Sequence, residues 1–256
     1  MSSSILAERA APDWLIEESF EDRTVGVLRS GKEAEVFLVE RRGESAACFL
    51  AHKRFRPRHP GKGELRELGF SKGTIFRHDV AYRRGWHMSS RDRRAVETHT
   101  RHGQDVTAAI WPVNELEMLR RAWDAGASVP YPVDHSGDGI LMEYVGDETQ
   151  AAPRIVDARL GPRESRFAWA QLVDSIRLLT REHVVHGDLS VYNLLWWHDR
   201  VVIIDFPQAV DARTNPDAAD LLHRDVENVA TWFGRRGVAT DAERLFAVLV
   251  GELYGA

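Results

Sequence analysis

Short apolar runs in the first 150 residues predict a small antiparallel sheet. Residues 25–28, 36–39 and 46–51 are dominated by apolar side chains, and each run has the length of one strand. The last two runs are separated by a polar turn sequence at residues 41–45, which favours a hairpin. Residues 139–146 form a further strand-like run that ends in glycine. We expect these runs to pair in one sheet.

Apolar residues at helical spacing predict that the rest of the chain is mainly helical. The predicted helices cover residues 2–20, 111–126 and 162–183, a stretch capped by Asn215 and Pro216, and a stretch from a Thr240 and Glu243 capping box to about residue 253. The second of these is expected to start at Pro112 and to stop before Gly126. A sheet-containing first half and a helical second half follow from this pattern.

Polar side chains follow two short apolar runs, at residues 184–185 and 201–204, which predict buried strands. Asp188 lies just after the first run, Asn193 five residues further on, and Asp205 directly after the second run. One aspartate at a strand end is usually a turn residue. Three such side chains at this spacing instead match the catalytic loop and metal-binding aspartate of protein-kinase-like phosphotransferases.

That match assigns a role to each of these side chains. Asp188 is expected to face the acceptor hydroxyl, while Asn193 and Asp205 supply the oxygen ligands that Mg²⁺ prefers. His186 is expected to organise the loop by hydrogen bonding and not to transfer protons.

The residues of these segments point to one family within the kinase class. The sequences HGDLSVYN and IIDFPQAVD resemble the RIO family of atypical serine/threonine protein kinases, in the branch without an N-terminal winged-helix domain. Phe206 and Pro207 stand where ordinary protein kinases carry Phe-Gly. Because proline fixes its own backbone dihedral and restricts its neighbour, the backbone flip that glycine permits should be suppressed.

The resemblance also implies a nucleotide site in the first half of the chain. Residues 30–37, SGKEAEVF, resemble the family's phosphate-binding loop with one residue fewer before the glycine, so Ser30, Gly31 and Lys32 are expected to face phosphates. Lys53 is expected beside the α- and β-phosphates. The family pattern W-x3-E-x3-L selects Glu115 as its partner, since Glu117 falls out of register.

The adenine ring is expected near the end of the 139–146 strand. By resemblance, Met142 would line the back of the pocket and Val36 would cover the ring. The Glu143 carbonyl and the Val145 amide would contact the edge of the base.

Together these motifs predict an α+β, bilobal protein-kinase-like fold. It would consist of an N-terminal extension (1–23), an N-lobe with a small antiparallel sheet and one main helix (24–142), and a mostly helical, reduced C-lobe (143–256). ATP and Mg²⁺ would bind between the lobes, with Mn²⁺ as an alternative metal. Only 51 residues follow Asp205, so substrate docking is expected to differ from that of ordinary kinases.

Composition adds a location and a partner to these expectations. The chain has one cysteine, Cys48, and neither a basic leader nor an apolar run of membrane-spanning length, which predicts a cytoplasmic protein without membrane contact. Its net charge is −5, but residues 53–101 hold 14 Lys or Arg against 5 Asp or Glu. We expect a flexible basic insertion at about 54–101, and either a solvated surface or an RNA or ribosomal-particle interface there.

The function predicted from these features is ATP- and Mg²⁺-dependent phosphotransfer or ATP hydrolysis of the RIO kind, including autophosphorylation and a link to small ribosomal subunit maturation. Two alternatives remain at this point. Aminoglycoside- and choline-type phosphotransferases share His-Gly-Asp-x4-Asn followed by Ile-Asp, although they usually carry a larger helical insert. A nucleotide-switched RNA-binding or ribosome-binding module would need little catalytic activity. The protein substrate is not readable from the sequence.

Overall fold

The computed structural model describes residues 9–31, 34–55, 101–136 and 139–255, and within 101–111 it describes the backbone alone. Five strands form one antiparallel sheet in the order β1-β2-β3-β5-β4. These strands are β1 (Glu21–Ser30), β2 (Ala34–Arg42), β3 (Ala47–Phe55), β4 (Pro132–Ser136) and β5 (Gly139–Glu143).

The register of the sheet gathers several predicted site residues on one face. Val36 pairs with Lys53, and Ala51 pairs with Met142. Because directly paired residues share a face and side chains alternate along each strand, Ala51 and Lys53 also lie on that face. All four residues line the same cavity.

Helix α1 (Arg101–Asp124) lies between the third and fourth strands in sequence and carries Pro112 in its interior. The prediction that this helix starts at Pro112 is therefore wrong by more than two turns. An interior proline lacks a hydrogen-bond donor and strains the preceding turn. Pro112 is buried, and so are Leu116, Met118 and Leu119 in the turns that follow it, so this part of the helix is anchored in the core.

The second half of the described chain is mainly helical. It contains helices α2 (Pro162–Arg181), α3 (Ala218–Gly234) and α4 (Ala242–Tyr254), and two-stranded ladders formed by β6 (Val184–Val185) with β9 (Val210–Asp211) and by β7 (Leu194–Trp197) with β8 (Arg200–Ile203). Most of the buried apolar residues of the described chain belong to one cluster centred here, to which helix α1 contributes. This arrangement confirms the predicted bilobal, kinase-like α+β fold.

Three predicted element boundaries need correction. No helix occurs in residues 9–20, and residues 2–8 lie outside the described part. Trp14 instead contacts the ring of Tyr131, and Leu15 packs against the sheet, so tertiary contacts replace local helix formation. Strand β1 begins at Glu21, inside the predicted extension 1–23. Strand β5 ends at Glu143, short of the predicted 146.

The starts of the last two helices also differ from prediction. Asn215 accepts a hydrogen bond from the Asp217 amide, and the helix begins only at Ala218. The last helix is capped by Asp241, which accepts from the Arg244 amide, and not by a box at Thr240 and Glu243. Within the described ranges, no helix has the length and apolar character needed to cross a membrane.

Candidate active site

Lys53 on β3 and Glu115 on α1 form a buried ion pair. The Lys53 Nζ donates to Glu115 Oε1 at 2.7 Å and to Oε2 at 2.9 Å. The lysine and glutamate are only 8% and 2% exposed, so water competes little for either charge. The prediction that Glu115 is the partner of Lys53 is confirmed.

Asp205 contacts the same ammonium group from the other half of the chain. Its Oδ1 accepts from Lys53 Nζ at 2.5 Å, and its backbone adopts a positive φ of 74°, which aspartate tolerates better than most residues. The next amide, that of Phe206, donates to Glu115 Oε1 at 3.1 Å. Glu115 therefore holds both the lysine and the backbone that follows the aspartate.

The charges of this group depend on one another. Burial disfavours the ammonium form of Lys53, but the carboxylates of Asp205 and Glu115 outweigh burial and raise its pKa above the ordinary value. Burial opposes ionisation of Asp205, yet attraction to Lys53 lowers the pKa of this carboxyl. Burial raises the pKa of Glu115, against the attraction of Lys53. The ammonium form of Lys53 is thus favoured between these two acidic side chains.

The loop after β6 carries the other predicted catalytic residues. Asp188 is exposed, whereas Asn193 is buried and donates from Nδ2 to the Asp188 carbonyl at 2.9 Å. The Asn193 carbonyl in turn accepts from the Ile204 amide at 2.9 Å, directly before Asp205. Gly187 has φ 79°, and a Cβ there would lie 2.5 Å from the Gln208 carbonyl oxygen. A glycine is therefore required for the loop to pass this close to the second segment.

His186 acts as a neutral structural group in this loop. Burial lowers its pKa to about 4. One ring nitrogen, Nε2, lies 3.1 Å from the Ile204 carbonyl oxygen, and the other accepts from the Asp188 amide at 3.3 Å. The ring also packs against Phe206 at 4.7 Å between centroids. These contacts agree with the expectation that His186 organises the loop.

Asp225 on α3 holds the same loop, and sequence reasoning gave it no role in the site. Its carboxylate accepts from the Gly187 amide at 2.7 Å and from the Leu189 amide at 2.8 Å, while the Arg224 guanidinium donates to the Gly187 carbonyl. Its position within the family-like stretch 221–233 is the signal that could have drawn attention to it.

Asp225 should make stability depend on pH. Burial raises its pKa to about 7, whereas an aspartate in an unfolded chain has a pKa of about 4. The folded chain thus holds an extra proton across this window, so the free energy of unfolding should fall as pH rises through it, by up to about 1.4 kcal/mol per unit. Urea unfolding of wild type and Asp225→Asn at several pH values measures this contribution.

The comparison with the mutant is needed because His186 has the opposite effect. Its pKa is lowered on folding, so its contribution grows as pH rises from about 4 to about 6.5. Both proteins share the His186 contribution, so it drops out when the free energy of unfolding of Asp225→Asn is subtracted from that of wild type. We expect this difference to decrease from pH 4.5 to pH 7.5. A difference independent of pH would contradict the buried, protonated state of Asp225.

A cavity of about 470 Å³ opens beside Lys53, a size typical of small-molecule sites. Val36, Met142, Glu143 and Val145 all line it. The Val145 carbonyl accepts from the Ala152 amide at 2.9 Å. Roles for Met142, Val36, the Glu143 carbonyl and the Val145 amide in binding a base remain predictions.

The loop predicted to face phosphates is placed only in part. Gly31 lines the cavity, and its amide donates to the Ala34 carbonyl at 2.9 Å. The Ser30 hydroxyl donates to Glu35 Oε1 at 3.0 Å. Both predicted donors are therefore engaged within the turn, and Lys32 lies outside the described residues.

Other contacts of the site were missed because they depend on tertiary structure. Arg154 and Asp157 line the cavity, although they come from an irregular segment with no motif. Arg121, on the same helix as Glu115, forms an ion pair with Asp211 at 2.9 Å and donates to the Glu182 carbonyl at 2.5 Å. These contacts tie helix α1 to the second half of the chain.

The fold and the site define a protein-kinase-like phosphotransferase. A lysine from the sheet, a glutamate from the helix and an aspartate from the second half meet at one end of a cavity, and a histidine-aspartate loop lies next to them. A family model described as the RIO domain matches residues 75–245. The chain belongs to the RIO domain family, which confirms the resemblance seen in the sequence.

Curated relatives carry the corresponding name. A RIO-type serine/threonine-protein kinase Rio1 of Haloferax volcanii is 32% identical over 238 residues, covering 93% of this chain and 72% of the relative. The Rio1 of Thermoplasma acidophilum is also 32% identical, over 136 residues that cover 53% of this chain and 70% of the relative. A probable serine/threonine-protein kinase RIO1 homologue of Encephalitozoon cuniculi is 28% identical over 223 residues, which cover 84% of this chain and 54% of the relative.

Proposed function

We propose that this chain is an ATP- and Mg²⁺-dependent serine/threonine protein kinase and ATPase that transfers the γ-phosphate of ATP to a hydroxyl group, including hydroxyls of its own. The observation that carries the proposal is the position of Lys53. Its ammonium lies 2.7 Å from Glu115 and 2.5 Å from Asp205 at the wall of the cavity. A fixed cation beside a metal-binding carboxylate suits a nucleotide triphosphate.

The residues present fit a magnesium ion. Asp205 offers a carboxylate, and Asn193, whose Nδ2 is used by the Asp188 carbonyl, offers its side-chain oxygen. Mg²⁺ is usually bound by one or two protein oxygens together with phosphate oxygens and water. Mn²⁺ accepts the same ligands. The ion would neutralise charge on the phosphates during transfer.

Asp188 is the residue proposed to face the acceptor. It is exposed, and its backbone is held by contacts to His186 and Asn193. An exposed carboxylate on a fixed loop can orient a hydroxyl group and accept its proton. Only twelve residues lie between Asp205 and the start of helix α3. The acceptor would therefore be bound without the help of a long segment after Asp205.

The proposal is tested by incubating purified protein with γ-labelled ATP and Mg²⁺. Phosphate release, self-labelling and transfer to protein or small-molecule acceptors are measured in parallel. Label on serine or threonine of the chain or of a protein acceptor supports the proposal. Efficient transfer to aminoglycosides or choline, without protein labelling, would favour a small-molecule phosphotransferase instead.

A role in small ribosomal subunit maturation is a further part of the proposal, and the basic stretch 53–101 leads to its test. Most of that stretch lies outside the described residues, so RNA binding rests on its charge and on interspersed aromatic residues. Charge reversal at Arg83, Arg84, Arg93 and Arg94 should weaken binding to structured rRNA fragments and spare basal ATP turnover.

The RNA titration is done at two salt concentrations. Affinity should fall steeply with salt, because each neutralised phosphate releases condensed counterions. Equal affinity of wild type and the reversed variant would show that these arginines are a solvated surface only.

A further inference from the structure

The cavity has to balance the charge of a triphosphate with more than Lys53. This lysine already lies between two carboxylates, those of Glu115 and Asp205. Among the described residues that line the cavity, the other cationic side chains are Arg29 and Arg154. Arg29 belongs to the exposed strand β1. Arg154 is the more enclosed of the two.

The backbone of Arg154 is firmly placed. Its carbonyl accepts from the amides of Asp157 and Ala158, at 2.9 and 3.0 Å. It also forms an isolated β-bridge with Leu195, two residues after Asn193. The segment therefore sits against the strand that leaves the catalytic loop, and its side chain starts from a fixed position.

The guanidinium group of Arg154 is attracted by nearby carboxylates but makes no direct hydrogen bond to a described residue. Its Nε is buried and makes no hydrogen bond, and the side chain forms no ion pair with any residue that the structure describes. Burial and repulsion from Arg29 lower its pKa, against attraction to Asp205 and Asp157. The Nε is covered by protein, so the part of Arg154 that can meet a ligand is the end of its guanidinium group, which lines the cavity without a hydrogen bond to any described residue.

The groups around Arg154 identify which part of a ligand it meets. The carboxylates of Asp205 and Asp157 attract its guanidinium. Asp205 is the proposed metal ligand, and Asp157 lines the same cavity, whereas the base is expected at Glu143 and Val145. An arginine at this end suits phosphate oxygens, which its planar fork can bind through two parallel hydrogen bonds.

We propose that Arg154 binds the γ-phosphate of ATP beside the metal ion held by Asp205. This inference rests on the proposed function. A charge-assisted hydrogen bond to phosphate corresponds to about a 10- to 100-fold change in affinity. Arg154 would then be the residue by which the cavity distinguishes ATP from ADP.

The test measures binding of ATP, ADP and adenosine, each with Mg²⁺, by calorimetry. Arg154→Met should weaken ATP binding about 10- to 100-fold, ADP binding by a smaller factor, and adenosine binding not at all. Arg154→Lys, which keeps the charge and loses the fork, should fall between Met and wild type. Arg159→Met is the matched control, because Arg159 is exposed in the same segment and does not line the cavity.

The outcomes separate this inference from the proposed function. If wild type binds ATP no better than adenosine, the cavity is not a triphosphate site and both proposals fail. If wild type prefers ATP and Arg154→Met keeps the same preference over ADP, only the assignment of Arg154 fails. An equal loss for ATP and ADP would also overturn it, because the contact would then be to a phosphate that both share. Unchanged adenosine affinity shows that each variant is folded.

Discussion

Asp205→Ala is expected to abolish Mg²⁺-dependent ATP turnover. This carboxylate is the only anionic metal ligand that we propose, and without it the ion loses its principal protein contact beside the phosphates. The lysine should stay in place, because Glu115 still binds it at 2.7 Å. Initial rates of phosphate release at saturating ATP measure the effect.

The control for this substitution is Asp174→Ala, which removes an exposed aspartate from helix α2. It should turn over ATP at the wild-type rate. Thermal unfolding of both variants establishes that they are folded. Undiminished hydrolysis by a folded Asp205→Ala protein would refute the metal-binding role of Asp205.

Asp188→Asn should slow phosphotransfer by a factor on the order of 10² to 10⁴, the range typical of a lost general base. The amide can still orient a hydroxyl group but cannot take its proton. Nucleotide affinity should be largely unchanged, because Asp188 is exposed and does not line the cavity. Single-turnover transfer and equilibrium nucleotide binding separate the two effects.

The opposite pattern would identify a different role. A variant that binds nucleotide poorly but transfers phosphate at the wild-type rate once saturated would place Asp188 among the metal ligands. Asp199→Asn, at an exposed turn, gives the matched control for the change of charge.

The sequence predicted those parts of the site that depend on spacing within one segment. The loop from His186 to Asn193 and the aspartate at 205 follow strands whose apolar runs are evident. The pairing of Lys53 with Glu115 was also predictable, but only through the resemblance, whose pattern W-x3-E-x3-L selected Glu115. Glu117, two residues away, is exposed on another face of the same helix.

The rest depended on contacts between distant segments. Asp225 holds the Gly187 amide across 38 residues, and no local pattern predicts such a contact. Thr240 looked like a helix cap, but its hydroxyl donates to the Ala230 carbonyl at 3.0 Å, which leaves Asp241 to cap the helix. Pro112 looked like a helix start because local propensity disfavours an interior proline, and core packing overrides that preference.

Two side chains of helix α1, Glu115 and Arg121, connect the helix to different parts of the fold. Arg121 binds it to Asp211 and to the Glu182 carbonyl, while Glu115 binds the lysine of the sheet. The helix is thus tied to the second half of the chain as well as to the sheet. Widening the cleft to release ADP would separate the Lys53 ammonium from Glu115 and leave that buried carboxylate with the Phe206 amide in place of a cation. The empty enzyme should thus favour a closed cleft, and product release carries an electrostatic barrier of its own.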